Sequence, residues 1–173
     1  GGASALLAGP PVGVQTRDMV ELTRMLLASG ADIAEMNVVR KHVSRVAGGR
    51  LALAASAERI EVVVVSDVPG DRMDLIGSGP FVPDPSRYHD ACEILRARGL
   101  WSQLPAAVRD HLEQGRVGEA GGGPDLKTGP CKKVRHHLVA SNRDALDAAI
   151  GCARSIGLRA VPLGAVLHGE ARQ

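Results

Sequence analysis

The stretch 61–84, EVVVVSDVPGDRMDLIGSGPFVPD, decides how this chain folds. Val62 to Val65 form a β-branched run without polar alternation, the pattern of a strand buried on both faces of a parallel sheet. In such sheets ligands gather beyond the carboxyl ends of the strands. Here that end carries Ser66-Asp67-Val68-Pro69-Gly70-Asp71, and Gly77-Ser78-Gly79-Pro80 follows. Two carboxylates on one turn can hold Mg²⁺ through oxygen ligands or water, or one can accept a proton from a hydroxyl nucleophile. Equally, Asp67 can form an Asx turn and Asp71 can cap a helix. The second loop is expected to present backbone N–H groups of Ser78 and Gly79 to a ligand. It lacks the lysine of a P-loop and does not fit GxGxxG.

Working outward, 173 residues, 45% of them hydrophobic, suffice for one domain with a real core. A net charge of +2 without like-charge runs argues against nucleic acid or a membrane surface as partner. With aromatics at 2%, there is little to stack on bases. The three cysteines, Cys92, Cys131 and Cys152, are far apart and point to reduced thiols in a cytoplasmic protein. No apolar run approaches the ~20 residues needed to span a bilayer.

Upstream of the valine run, Gly1-Gly2-Ala3-Ser4 is either a plain turn or a loop whose N–H groups and Ser4 hydroxyl meet an anion. No strand and no Met precede it, which leads to the expectation of a chain whose first elements are missing. Thr16 is the expected cap of a helix carrying Met19, Leu22 and Leu26 inward and stopping at Gly30. Residues 31–44 form the next helix, with Ile33 and Met36 inward. Asn37, Arg40 and Lys41 lie on another side, either as a solvated face or as an anion-binding group. Gly48-Gly49 breaks the chain before a short helix over 50–54.

Downstream, Ser86 is the expected cap of a helix with Tyr88, Ala91, Cys92 and Leu95 in one stripe and Gly99 as its stop. Pro105 opens another helix through Gln114, with Val108 and Leu112 inward. His89 and His111 are expected on the surface, and residues 115–130 as a long surface loop ending before Cys131. A strand over 137–140, a helix buried through Ala145, Ala149, Cys152 and Ile156, and a strand over 159–163 make a right-handed parallel crossover. Asn142 is placed to cap that helix or to face a ligand.

Five segments then carry a resemblance: GGASALL at 1–7, LLASGADIAEMNVVRKHVS at 26–44, GGRLA at 48–52, SDVPGD at 66–71 and SGPFVPDP at 78–85. In this order they resemble the glycerate 2-kinase family, whose members have often been labelled hydroxypyruvate reductases. The resemblance implies α/β architecture: a Rossmann-like three-layer sandwich with a mainly parallel sheet, here incomplete at its N-terminus and without the C-terminal domain. It implies ATP-dependent phosphorylation of D-glycerate to 2-phosphoglycerate, with ATP and Mg²⁺ as cofactors and activity only in a longer polypeptide. In that reading Gly1, Gly2 and Ser4 bind an anion, and Asn37, Arg40 and Lys41 bind carboxylate or phosphate. Asp67 and Asp71 organise the metal or the attacking hydroxyl, while Ser78, Gly79 and Asn142 line the pocket. A homodimer is a further expectation. The chain departs from the family pattern at Ala3, Phe81 and Ser86-Arg87, which bears on nucleotide and substrate preference. The alternatives are an NAD(P)H-dependent hydroxypyruvate reductase, for which no dinucleotide motif is present, and a non-catalytic nucleotide- or sugar-acid-binding module.

Overall fold

The computed structural model describes residues 3–7, 9–120 and 134–163. Its principal core is helical. Helices α2 (Thr16–Ala28), α3 (Ile33–His42), α5 (Tyr88–Ala97) and α6 (Ala106–Ala120) converge on Leu22, Leu26, Val39, Leu95, Val108 and Leu112, each 2% exposed or less. The expected stripe Ala91, Cys92 and Leu95 is fully buried, and Tyr88 packs against the same cluster. Burial raises the Cys92 thiol pKa, so it behaves as a core thiol rather than a nucleophile.

Side-chain caps set where these helices begin. In α2 the cap is Gln15 rather than Thr16, because Asp18 reaches back to the Gln15 N–H at 2.8 Å. Asp32 and Glu35 form a reciprocal box at the start of α3, each carboxylate accepting from the other's N–H at 2.9 Å. Ile33 is thereby the first helical residue and 69% exposed, contrary to expectation, while Met36, Val39 and Val43 turn inward. In α5 Arg87 is the cap, boxed with Asp90, and Ser86 is used elsewhere.

α6 extends past Gln114 to Ala120, so residues 115–120 are helical and not part of a loop. The remainder of the expected loop, and Cys131, lie outside the described residues. Gly115 is tolerated within this helix because the Tyr88 ring occupies the space of its missing side chain: a Cβ there would sit 2.3 Å from two ring carbons. Gly115→Ala is therefore expected to destabilise by about 1–3 kcal/mol through overpacking, although alanine is the better helix former. A raised denaturation midpoint for this variant would contradict that packing.

Helix α1 (Ala3–Leu6) and helix α4 (Arg50–Ala54) are short, and α4 has the expected bounds. Strand β1 (Ile60–Ser66) pairs in parallel with β2 (Val134–Ser141), from Ile60 opposite Val134 to Ser66 opposite Ser141. α5 and α6 occupy the connection between them, as a parallel pair requires. β1 is not buried on both faces. Val64 and Ser66 are 8% and 2% exposed, whereas Val63 and Val65 are 70% and 69% exposed, because no described element covers their face. Helix α7 (Asn142–Ser155) turns Leu146, Ile150 and Ala153 partly inward, while Ala145, Ala149, Cys152 and Ile156 are exposed. Residues 159–163 form no strand, since among the described residues no edge is paired with them. No described helix is long and apolar enough to cross a membrane.

Candidate functional site

The segment after β1 is shaped by backbone conformations that few residues adopt. Gly77, Ser78 and Gly79 are consecutive left-handed residues, with φ of 59°, 64° and 58°. Ser78 carries a strain of roughly 1 kcal/mol there. The N–H groups of Ser78 and Gly79 do not face outward as expected. They donate to the carbonyls of Leu75 and Ile76 at 3.1 and 3.0 Å. The carbonyls of Ser78, Gly79 and Pro80 accept from the N–H groups of Gly48, Gly49 and Ala52 at 3.0, 2.8 and 3.2 Å. The backbone hydrogen bonds of Ser78 and Gly79 are thus spent on fastening the loop to the Gly48-Gly49 corner, and Gly77 and Ser78 border a neighbouring cleft.

That cleft is lined by Ser4, Met19, Arg40, Ser44, Gly77 and Ser78. The Ser78 hydroxyl donates to Ser4 Oγ at 3.0 Å, tying α1 to the loop. Three residues singled out from three separate motifs, Ser4, Arg40 and Ser78, therefore meet on one surface. Leu7, Val46 and Ala47 complete the lining, so one cation and three hydroxyl-bearing residues share the wall of the cleft with apolar side chains, a set that can meet a carboxylate or phosphate. Ser44 was not singled out by its sequence. Its hydroxyl accepts from the N–H groups of Val46 and Ala47 at 3.2 and 3.1 Å and shapes the same wall. Ala3 is the first residue of α1. Gly1 and Gly2 lie outside the described residues.

Lys41 does not share this wall with Arg40. Successive residues point about 100° apart on a helix, and Lys41 turns inward to Asp84, with Nζ 3.3 Å from Oδ1 and side chains 4% and 3% exposed. Asp84 Oδ1 also accepts from the Ser86 N–H at 3.1 Å and from the Ser86 hydroxyl at 2.7 Å, which is where Ser86 is used instead of as a helix cap. Asp84 Oδ2 is buried with no hydrogen-bond partner. Arg50 Nη1 donates to the carbonyls of Lys41 and Ala47 at 3.0 and 3.1 Å. In the sequence Asp84 stands among prolines and reads only as a loop residue. The sole local signal was the Asp-Pro-Ser order, which permits the Asx-type turn seen here.

Asp67, Asp71, Asn37 and Asn142 do not line the cleft. Asp67 and Asn142 meet instead at the carboxyl ends of the paired strands, where Asn142 Nδ2 donates to the Asp67 carbonyl at 3.1 Å. Asn142 is not the cap of α7. That role belongs to Ser141, whose hydroxyl accepts from the Asp144 N–H. Asp71 has a left-handed φ of 50°, set by the Pro69–Asp71 3₁₀ turn. Nearby, the Arg72 hydrogen bond holds the Asp74 carboxyl below its usual range. Among the described residues, no group of three or more His, Cys, Asp and Glu side chains is placed to hold a metal ion.

His111 is not a plain surface residue. Its Nε2 lies 2.9 Å from the His42 carbonyl and 3.5 Å from the Tyr88 hydroxyl, while His42 and Tyr88 rings meet edge-on at 4.7 Å. Burial, the main cause, lowers the His111 pKa from 6.5, and the same cause lowers that of His136. Both groups bind protons more weakly folded than unfolded. Their contribution to stability is complete above the unfolded pKa near 6.5 and is lost as pH falls toward the folded values. His111→Gln, which retains a donor for the His42 carbonyl, is expected to flatten the fall in denaturation midpoint below pH ~6.5. An unchanged profile would remove His111 from that acid sensitivity.

The chain is 39% identical over 172 residues to the glycerate 2-kinase of Pyrococcus horikoshii, an alignment covering 99% of this chain and 38% of that protein. It is 44% identical over 173 residues to an Agrobacterium vitis protein provisionally named a hydroxypyruvate reductase, covering 99% of this chain and 42% of the relative. The crystal structure of a Thermotoga maritima glycerate kinase superposes with a TM-score of 0.73 at 36% identity, over 91% of this chain and 35% of that one. The chain thus spans between about a third and two fifths of the length of the curated relatives it matches. Residues 1–113 match a family described as a domain of unknown function, DUF4147, and the chain belongs to that family.

Proposed function

We propose that this chain serves, within a polypeptide of its relatives' length, in the ATP-dependent phosphorylation of D-glycerate to 2-phosphoglycerate. The observation that carries this reading is the meeting of Ser4, Arg40 and Ser78 in one cleft, in a chain that is 39% identical to a glycerate 2-kinase. Phosphoryl transfer asks a protein mainly to position two substrates and to neutralise charge. Arg40 supplies a fixed cation, and the Ser4 hydroxyl, which accepts from Ser78 and keeps its own proton, supplies a donor to the oxygens of an acid or a phosphate. Asn37, Gly1 and Gly2 stay in this reading as anion-binding candidates on the family resemblance alone. Asp67 and Asp71, at the strand end, fit magnesium by the chemistry of their oxygens, because this ion is usually held by one or two carboxylates together with water and substrate phosphates. Bound there, magnesium supplies charge neutralisation on the phosphate chain. Lys41, held by Asp84, acts from inside the wall rather than on its surface.

In the same reading the uncovered Val63 and Val65 face belongs to a Rossmann-like three-layer sandwich whose other strands and helices lie in the longer polypeptide. That polypeptide is cytoplasmic and a homodimer, the latter tested by sedimentation. The decisive assay is ADP release with D-glycerate, set against NADH oxidation with hydroxypyruvate. ADP release without NADH oxidation supports the kinase, and the reverse supports the reductase. Ligand binding without turnover supports a non-catalytic module. Asp67→Asn is expected to lower kcat by about 10-fold or more with the fold retained. Near-normal turnover would remove Asp67 from the reaction.

A further inference from the structure

Arg40 and Ser78 stand on different segments, α3 and the loop after β1, and their relative position decides whether the cleft can grip an anion. Lys41 is the neighbour of Arg40 on α3, and Asp84 is on the same stretch as Ser78. The two side chains meet at 3.3 Å with exposures of 4% and 3%. A buried ion pair is a poor source of stability compared with apolar packing of the same volume. This one carries the additional cost of Asp84 Oδ2, buried without a partner. What the pair supplies is direction. A charge-assisted contact fixes the rotation of α3 about its axis, and the residue beside it, about 100° away, is then aimed at the cleft. Ser86 holds the carboxylate from the loop side through two hydrogen bonds to Oδ1, and Arg50 holds the Lys41 carbonyl from the α4 side. The Gly48 and Gly49 amides complete the seam by donating to the carbonyls of Ser78 and Gly79.

We propose that Lys41 and Asp84 are positioning residues that hold the Arg40 wall in register with the Ser78 wall. Neither touches substrate. The inference rests on the kinase reading for its catalytic consequence and on the seam alone for its structural one. The test uses the full-length polypeptide with Lys41 and Asp84 replaced together by Met and Leu, which removes both buried charges while keeping volume. The expected result is a melting temperature equal to or above that of the parent. With it come a fall in kcat/KM for D-glycerate of about 10-fold or more and amide exchange at Gly48 and Gly49 faster by about 10-fold, with Leu26 and Leu95 unchanged. A purely structural pair predicts parental kcat/KM once stability is parental, and that outcome overturns the proposal. If the parent phosphorylates no D-glycerate, the kinase reading fails separately. Exchange at Gly48 and Gly49 then decides, and parental exchange rates overturn the proposal. Should the double variant not fold, Ser86→Ala keeps both charges and is read in the same way, with expected shifts of about 3-fold; unchanged kinetics and exchange overturn it.

Discussion

Asp84→Ala is expected to lower the free energy of unfolding by about 3–5 kcal/mol, the range for breaking a buried ion pair from one side. The substitution leaves the Lys41 ammonium, 4% exposed, without its carboxylate, and it also frees the Ser86 hydroxyl and N–H. Several kilocalories are a large fraction of the stability of a domain this size, so the variant is expected to populate unfolded chain at moderate temperature. Asp84→Asn keeps an oxygen for Ser86 and is expected to be milder. Denaturant midpoints for the two variants at neutral pH measure the effect. A loss under about 1 kcal/mol for Asp84→Ala would mean that Lys41 finds water or another partner.

Gly79→Ala carries the second large effect. Gly79 sits at φ 58°, and a Cβ there would lie 2.9 Å from the Asp74 carbonyl oxygen and 3.0 Å from the Asp74 Cα. These are backbone atoms in a loop fastened at both sides, so relief requires moving the loop itself. The expected cost is about 2 kcal/mol or more, the sum of the left-handed conformation and the clash. Gly70→Ala is the control, because Gly70 has φ 73° but no atom near its missing Cβ. It is expected to cost only about 1 kcal/mol. Equal losses at the two positions would show that conformation alone matters and that the Asp74 contact is loose. The Gly79 variant is also expected to shift the Ser78 hydroxyl away from Ser4 and so to weaken anion binding in the cleft.

Much of the helical core is legible in local pattern. Leu22 and Leu26, Ala91, Cys92 and Leu95, and Val108 and Leu112 recur at helical spacing and are the residues the core buries. Gly30 and Gly99 stop their helices in the left-handed conformation that glycine adopts without penalty. Helix starts were less legible because several residue types can cap. Where a carboxylate stood three residues on, its acceptance of the N–H of Gln15 or Arg87 outweighed the hydroxyls of Thr16 and Ser86. Ile33 was misread for the same reason, since the Asp32 cap sets the phase of α3. The extension of α6 through Gly115 was hidden because glycine signals a break unless another ring, here that of Tyr88, fills its space.

By itself the sequence determined the four principal helices, the strand at the valine run and its parallel pairing, and the residue types that can meet an anion, but not the strand expected over 159–163 or the full length of α6. Those properties depend on neighbours within a few positions along the chain. Only the tertiary structure decided that Arg40 faces the cleft while Lys41 is withdrawn to Asp84, that Ser4 touches Ser78, and that Asp67 is joined to Asn142 at the strand ends. Each of these contacts closes a loop of more than forty residues. Whether two such distant groups meet depends on the packing of everything between them, which no local periodicity encodes.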